Sequence, residues 1–291
     1  MSYLVSINSK HLQPNGLNNS FQYQLTSTAA NLTDMEICVA GVTLYNSQFN
    51  VDAARYGNTS FKIAVPTAAT TSTISVTLND GYYSYADMNR MIQSACVNAG
   101  AYLIDSDGNR VFFIQIVENA TFYSAQVDLS PVPSSLGTYT QPLTGLYSTA
   151  GTGLPTTTSV PTLTIDNAKF GKLIGFNAGT YPSASSSTAV SLLSNITPQV
   201  NPVSSYAIRC SLIDNVFTNP PDILCSFNSA GTTIGQLISY KPNEFIWQTV
   251  ASGSFSTINL QIVDQDANPV KFNDPNILIE LLFKSKEKKK D

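Results

Sequence analysis

Charged residues are scarce in this sequence. Asp, Glu, Lys and Arg make up only 12% of its 291 residues, which is about half the charged fraction of an ordinary soluble protein. Ser, Thr, Asn and Gln must therefore cover much of the surface, and these side chains hydrate loops without the repulsion that opposes close packing of neighbouring subunits. The composition permits assembly into larger particles without requiring it.

Histidine and the common catalytic motifs are also nearly absent. The one histidine, His11, lies in the turn-like segment 10–16, where an imidazole is poorly held between a nucleophile and a carboxylate. No glycine-rich phosphate loop followed by Lys occurs. The cysteines lack the spacing of a zinc site or a disulfide framework and suit reduced core thiols. They are Cys38, Cys96, Cys210 and Cys225. We therefore expect no catalytic residue, no cofactor and no enzymatic activity.

Long apolar runs are missing as well. No stretch reaches the length of a membrane span, and residues 1–10 alternate between polar and apolar side chains without the apolar region of a secretory signal. We expect a chain with no membrane span that folds in a reducing, cytoplasmic compartment.

Two carboxylate-rich turns are the only segments that resemble a metal motif. Asp105–Asn109 and Asp264–Asn268 share the spacing Asp-x-Asp-x-Asn, and oxygen-rich turns of this kind can hold calcium. Neither has the downstream Glu of a helical calcium loop, and both lie between apolar strand-like runs, so simple chain reversal is the favoured interpretation. The weak calcium candidates are Asp105, Asp107, Asp264 and Asp266.

Short runs of Val, Ile, Thr, Tyr and Phe, separated by Asn, Asp, Gly and Pro, recur along the chain and predict an all-β sandwich or barrel. The clearest strand is 258–263, where apolar and polar residues alternate. The predicted strands are 3–8, 21–26, 35–44, 60–65, 74–78, 111–117, 122–129, 163–165, 206–213, 223–227, 233–240, 245–250, 255–263 and 277–283.

Two short helices are predicted between these strands. Ser84 caps the first with Asp87 three residues later, and Gly100 ends it. The second covers 167–174 and stops at Gly175. Two helices are too few for a parallel α/β fold.

The chain also contains long loop-like stretches and a basic end. Residues from about 130 to 161, and again 181–202, are rich in Ser, Thr and Pro. The segment 284–291 has a net charge of +3, so the other 283 residues carry −7. We expect 284–291 to be disordered, either as a plain solubilising end or as a contact for nucleic acid or an acidic partner. Its lysines are Lys284, Lys286, Lys288, Lys289 and Lys290.

Five segments, in the same order along the chain, resemble the penton (minor capsid) proteins of virophages and polinton-like viruses, nearest the Mavirus type. Val42–Val51 resembles an early strand and its turn. Gly81–Asn89 is similar to their Gly-x-Tyr-Ser helix entry, and Lys172–Pro182 to their Leu-Gly-Phe and Gly-x-Tyr-Pro segment. Phe255–Val270 and Asp274–Leu281 resemble their last two strands and the turn that joins them. The Ser/Thr/Pro-rich stretch 131–161 matches no motif of the family.

The resemblance implies a single jelly-roll β-sandwich of two four-stranded sheets, with two short helices and long loop elaborations. One domain would cover 1–283, with a loop insertion at about 130–161 and the disordered tail 284–291. Such a protein is a capsid subunit, assembled in the host-cell cytoplasm, of which five copies form the icosahedral vertex of the virion and contact the major capsid protein. The lysine tail would face the packaged DNA or the major capsid protein.

The sequence leaves two other classes of function open. A receptor- or glycan-binding module, fibre- or lectin-like, would use the same sandwich and could stack sugars on Tyr82, Tyr83 and Tyr85. A carbohydrate-active enzyme on a jelly roll would need a convergent pair of carboxylates, whose separation no sequence reveals.

Overall fold

The computed structural model describes residues 2–25, 30–68, 70–229 and 231–286. The chain is 39% strand and 10% helix, which confirms the predicted all-β class. It divides into two compact units: unit 1 is Met1–Gln48 with Val203–Asp291, and unit 2 is Phe49–Pro202. Neither described helix is long and apolar enough to span a membrane.

The strands follow the predicted pattern closely, with a few additions. In chain order they are β1 Ser2–Asn8, β2 Ser20–Gln24, β3 Ala30–Asn31, β4 Met35–Tyr45, β5 Ser60–Pro66, β6 Thr71–Thr77, β7 Leu103–Ile104, β8 Arg110–Val111, β9 Ile114–Asn119, β10 Ser124–Leu129, β11 Thr162–Ile165, β12 Gly179–Tyr181, β13 Val190–Leu193, β14 Tyr206–Cys210, β15 Ile223–Phe227, β16 Leu237–Tyr240, β17 Gln248–Thr249, β18 Ser254–Phe255, β19 Thr257–Asp264 and β20 Leu278–Ser285. The helices are α1 Tyr85–Ala99 and α2 Ala168–Ile174.

Unit 1 is a jelly roll. One antiparallel sheet has the order β1-β20-β4-β16, with β17 also paired to β4, and the other has the order β15-β14-β19-β2. The eight main strands can be renumbered 1 to 8 in chain order, as β1, β2, β4, β14, β15, β16, β19 and β20. In these numbers one sheet has the order 1-8-3-6 and the other has the order 5-4-7-2. This arrangement is the doubly Greek-key order of a jelly roll, and it confirms the predicted pair of four-stranded sheets. The short strands β3 and β18 form a separate ribbon.

A single core joins the two sheets of unit 1. In β19, Ile258, Leu260 and Ile262 are fully buried while Asn259 between them is exposed, as the alternation of residues 258–263 predicts. In β20, Ile279 and Leu281 are buried in the same way. Each such side chain contributes about 1.5–3 kcal/mol by leaving water. Period-two alternation on both sheets is therefore what closes the sandwich.

Unit 2 is inserted between the third and fourth strands of the jelly roll, β4 and β14. It has one sheet of order β12-β11-β5-β6, a second of order β13-β10-β9, and the small pair β7-β8. Both sheets and both helices contribute to its own core, so the predicted strands within 60–165 belong to this insertion and not to the jelly roll. Because a host domain and its insertion can fold together, the span 1–283 as one domain stays a prediction.

Both helices begin and end where the sequence predicts. Ser84 Oγ accepts the N–H of Asp87, whose carboxylate accepts the N–H of Ser84 in return, and Gly100 ends α1 in the left-handed conformation. Asn167 caps α2, which stops at Gly175. Local capping chemistry alone was enough to place these boundaries.

The two Ser/Thr/Pro-rich stretches are more ordered than their composition indicates. Between β10 and β11 the chain forms no further strand or helix among the described residues, yet Tyr147 is fully buried there and donates its hydroxyl to the carbonyl of Pro66. In the second stretch, β13 pairs with β10, although no strand was predicted there. Val190–Leu193 is a short segment with one serine among three apolar residues, and its pairing partner lies about sixty residues away.

The last strand is longer than predicted. It runs through Ser285, with Lys284 paired to Glu36 and Ser285 to Met35 across the sheet. The expectation that the disordered tail starts at residue 284 is therefore wrong for these two residues.

The end of helix α1 provides a stability test. At Gly100, with φ +65°, an added Cβ would lie 2.4 Å from the carbonyl oxygen of Thr144, whereas at Gly108, with φ +83°, it would meet nothing. We expect Gly108→Ala to lower the free energy of unfolding by about 1 kcal/mol from backbone strain alone, and Gly100→Ala to lower it by about 3 kcal/mol or more. Urea unfolding measures both, and equal losses would contradict the proposed packing.

Candidate functional site

One edge of the β1-β20-β4-β16 sheet exposes apolar side chains. Strand β1 lies at this edge, and Tyr3 and Leu4 are 52% and 59% exposed. Edge strands usually resist pairing with another chain by carrying charged residues or proline. Ser2–Asn8 contains neither. This edge is therefore open to a protein partner.

The opposite edge of the same sheet is formed by β16 and is also apolar. Leu237 lies directly across from Tyr45 in the register, and both are exposed, as is Ile234 just before β16. Neighbouring exposed apolar residues of this kind mark protein contacts more often than isolated ones do.

Two loops of unit 1 carry further exposed apolar residues. Val216 and Phe217 lie between β14 and β15, and Phe217 is 94% exposed. Phe245 and Ile246 lie between β16 and β17, where Phe245 packs edge-on against Trp247 with ring centroids 6.2 Å apart. These loops add to the apolar surface of the unit.

The described residues of the basic segment 284–291 make contacts within unit 1. Lys284 Nζ lies 3.3 Å from Glu36 Oε2 and 4.3 Å from the Trp247 ring centroid, so its charge is used within unit 1. Lys286 donates its backbone N–H to the carbonyl of Asp34. Lys288, Lys289 and Lys290 lie outside the described residues. A contact of the tail with nucleic acid or a partner stays a prediction for Lys286 and these three, while Lys284 is the weakest of the five candidates.

The two carboxylate turns have matching geometry. Asp105 Oδ1 accepts the N–H groups of Asp107 and Asn109 at 3.0 and 2.8 Å. Asp264 Oδ1 accepts those of Asp266 and Asn268 at 2.9 and 2.8 Å. The N–H of Asn109 is the main cause of a lowered pKa at Asp105.

These hydrogen bonds favour chain reversal as the role of both turns. Asp105 and Asp264 use their carboxylates to hold backbone N–H groups. The part of the chain that the structure describes contains no group of three His, Cys, Asp or Glu arranged to hold a metal.

The histidine and the cysteines occupy structural positions. His11 Nδ1 accepts the N–H of Asn8 and closes a short 3₁₀ turn. Burial raises the pKa of Cys96, Cys210 and Cys225 to about 12 and that of Cys38 to about 11. Thiols with such pKa values are poor nucleophiles and poor metal ligands at neutral pH.

The three tyrosines at the entry to α1 serve mainly to hold unit 2 together. Tyr82 donates its hydroxyl to Asn201 Oδ1 and Tyr83 donates its hydroxyl to the carbonyl of Asn79. Tyr85 packs against the core, and burial raises its pKa to about 12. Their rings are therefore partly committed to packing, which weakens the sugar-stacking alternative.

Sequence reasoning missed the apolar edges, because exposure is not visible in a strand pattern. Tyr3 and Leu4 look like any two residues of a strand, and Leu237 like part of a longer one. One sequence signal was present, since the first strand lacks both charge and proline, but only the sheet order shows that it lies at an edge.

Two solved structures are similar to the chain along nearly its whole length. The crystal structure of the mavirus penton protein has a TM-score of 0.44 and 10% sequence identity, and the similarity covers 98% of this chain and 99% of that chain. The cryo-EM structure of the Sputnik virophage has a TM-score of 0.45 and 14% identity, with 98% of each chain covered. No protein-family model and no curated protein matches the sequence. At these values the similarities carry no inference about function, which must come from the chain itself.

The Asp264 turn provides a test that separates chain reversal from metal binding. Asp264 is 7% exposed, so we expect Asp264→Ala to strand two N–H groups and lower the free energy of unfolding by about 1–3 kcal/mol. Asp264→Asn keeps the accepting oxygen and should lose less, and Asp105→Ala, in an exposed turn, should also lose less. Millimolar calcium should leave the melting temperature of the unaltered protein unchanged. A calcium-dependent rise that Asp264→Ala removes would establish a metal site instead.

Proposed function

We propose that this protein is a structural subunit of a viral capsid, and that it forms the fivefold vertex as a penton. The observation that carries the proposal is the strand order of unit 1, 1-8-3-6 facing 5-4-7-2. Jelly rolls of this order are typical of viral capsid and lectin domains. Since a fold does not fix a function, the proposal also depends on the exposed apolar surface of unit 1.

The apolar edges of unit 1 suit a ring of identical copies. β1 and β16 are opposite edges of one sheet, so the β1 edge of one copy can meet the β16 edge of the next. Such a contact is heterologous, and heterologous contacts that close produce cyclic rings. Neither strand contains a charged residue, so the contact would bury few charges without a partner. A stable ring contact buries on the order of 1,200–2,000 Å².

The sequence resemblance extends over both units, which supports a vertex protein with an inserted unit. The similar segments 42–51, 255–270 and 274–281 lie in or beside β4, β19 and β20 of unit 1, and 81–89 and 172–182 lie at the two helices of unit 2. In this role the protein performs no chemistry. It belongs to the virion, assembles in the host cytoplasm, and contacts the major capsid protein.

Ring formation can be tested at the two edges with a matched control. Leu4→Lys and Leu237→Lys place a charge on opposite edges of one sheet, while Leu143→Lys does so at a 97% exposed leucine of unit 2. Because each edge leucine would lose about 1.5–3 kcal/mol of burial, we expect both edge variants to weaken ring formation about tenfold or more and the control to behave as the unaltered protein.

Light scattering gives the solution mass, and electron microscopy gives the symmetry of the rings and of particles assembled with the major capsid protein. Fivefold rings or occupied vertices support the proposal. A protein that is monomeric in solution and also absent from the vertices of assembled particles would overturn it.

The tail can be tested without shortening the chain. Replacing Lys286, Lys288, Lys289 and Lys290 by Gln removes four charges and leaves β20 intact, and Lys241→Gln with Lys271→Gln is a control in unit 1. If the tail binds duplex DNA, the slope of log affinity against log salt should fall by about 0.9 for each phosphate group that the variant no longer neutralises, and particles should retain less genome. Unchanged DNA binding and genome retention would exclude this role.

A further inference from the structure

Unit 2 contains a cavity of about 290 Å³ lined by three basic side chains, Arg55, Lys169 and Lys172. Tyr56, Leu173 and Gln199 form part of the remaining wall. Among the described residues that line the cavity none is acidic. This basic cavity is unexpected in a unit whose six Arg and Lys are outnumbered by eight Asp and Glu, for a net charge of −2.

Two of the other three cations of unit 2 have carboxylate partners. Lys62 Nζ lies 2.6 Å from Asp166 Oδ2, Arg90 pairs with Asp87 at 2.9 Å, and Arg110 lies over the ring of Tyr102. In contrast, none of the three cavity cations forms a salt bridge with any described residue. Half of the unit's positive charge is therefore gathered around one cavity whose described lining contains no acidic residue.

The loop that carries Arg55 is held in place by its own hydrogen bonds. The N–H of Arg55 donates to Asp52 Oδ1 at 2.8 Å, and the N–H of Gly57 donates to the carbonyl of Asp52. Asn167 Nδ2 donates to the carbonyl of Gly57 at 2.8 Å, which ties the loop to the start of α2. The cavity is thus formed before any ligand arrives, which reduces the entropy lost on binding.

The basic side chains come from two elements that face the same space. Lys169 and Lys172 lie three residues apart on α2, on neighbouring positions of one helix surface. An added Cβ on Gly57 would lie 3.4 Å from Lys169 Nζ, so this ammonium group lies over the loop. The guanidinium of Arg55 lies 5.1 Å from the ring centroid of Tyr56, which orients its N–H groups.

We propose that the basic cavity binds a small organic molecule through a phosphate or sulfate monoester. Lys169 and Lys172 are exposed and Arg55 is half-buried, so water screens part of the repulsion among the three charges and an anion between them would offset the rest. A tetrahedral oxyanion accepts hydrogen bonds from a guanidinium and two ammonium groups together. The cavity is larger than a bare ion needs and close to the lower size of ligand pockets. Leu173 and Tyr56 offer apolar contacts to the organic part, of monosaccharide size. This site is independent of the capsid role, since it requires only unit 2.

Calorimetric titration of the full-length protein tests the proposal. The probes are glucose 6-phosphate, glucose 6-sulfate, inorganic phosphate, inorganic sulfate and uncharged glucose. We expect saturable binding of at least one sugar ester, weaker binding of the corresponding inorganic ion and none of glucose. The two esters distinguish the sources of the oxyanion, and whichever binds more tightly identifies the group.

Matched variants show whether the cavity is the binding site. Arg55→Gln and Lys172→Gln should each weaken ester binding about tenfold or more, because each removes a charge-assisted hydrogen bond. Arg90→Gln and Lys62→Gln make the same change of charge in the same unit and should leave the affinity within about twofold. Lys172→Arg keeps the charge and should retain most of the binding, with melting temperatures confirming that every variant is folded. No saturable binding of any charged probe, or an equal loss in the Arg90→Gln control, would overturn the proposal.

Discussion

The pairing of the last strand between the first and the third constrains the whole of unit 1. β20 lies between β1 and β4 and is antiparallel to both, with Tyr3 paired to Phe283 and Phe283 to Ile37. Residues from the two ends of a 291-residue chain thus share one row of a sheet. Contacts this distant in sequence form only after a large loss of chain entropy, and the buried faces of β19 and β20 must outweigh that loss. The same pairing leaves β1 and β16 as the two edges that face outward.

The position of unit 2 follows from this arrangement. A jelly roll needs its eight strands in a given spatial order but does not restrict the length of the connection between β4 and β14. Connections are where insertions are tolerated and where function concentrates. Unit 2 has its own core, so it can carry the basic cavity while unit 1 carries the edges that we propose for assembly. The scarcity of charge has a different meaning in each unit: in unit 1 the apolar edges contain none, and in unit 2 half of the cations are gathered at one place.

Local sequence patterns predicted several features of both units. Capping predicted α1 and α2 to within a residue, and alternation predicted β19, because the physical causes lie within a few neighbouring residues. The pattern at Asp105 and Asp264 correctly indicated turns for the same reason, since each carboxylate bonds to N–H groups two and four residues ahead. In contrast, the sequence predicts a disordered tail from Lys284 onward, because nothing nearby in the sequence shows that Glu36 and Trp247 lie beside it.

The sequence by itself determined the all-β class, the positions of both helices, most strands, and the absence of the usual catalytic and phosphate-loop motifs. These features depend on periodicity, capping and composition, which are properties of short segments. Only the tertiary structure decided which strands belong to the jelly roll and which strands are edges. It also decided that Arg55 lines the same cavity as Lys169 and Lys172, which lie more than a hundred residues later in the sequence. Such features depend on pairing between distant segments, and a single sequence carries no direct record of which distant segments meet.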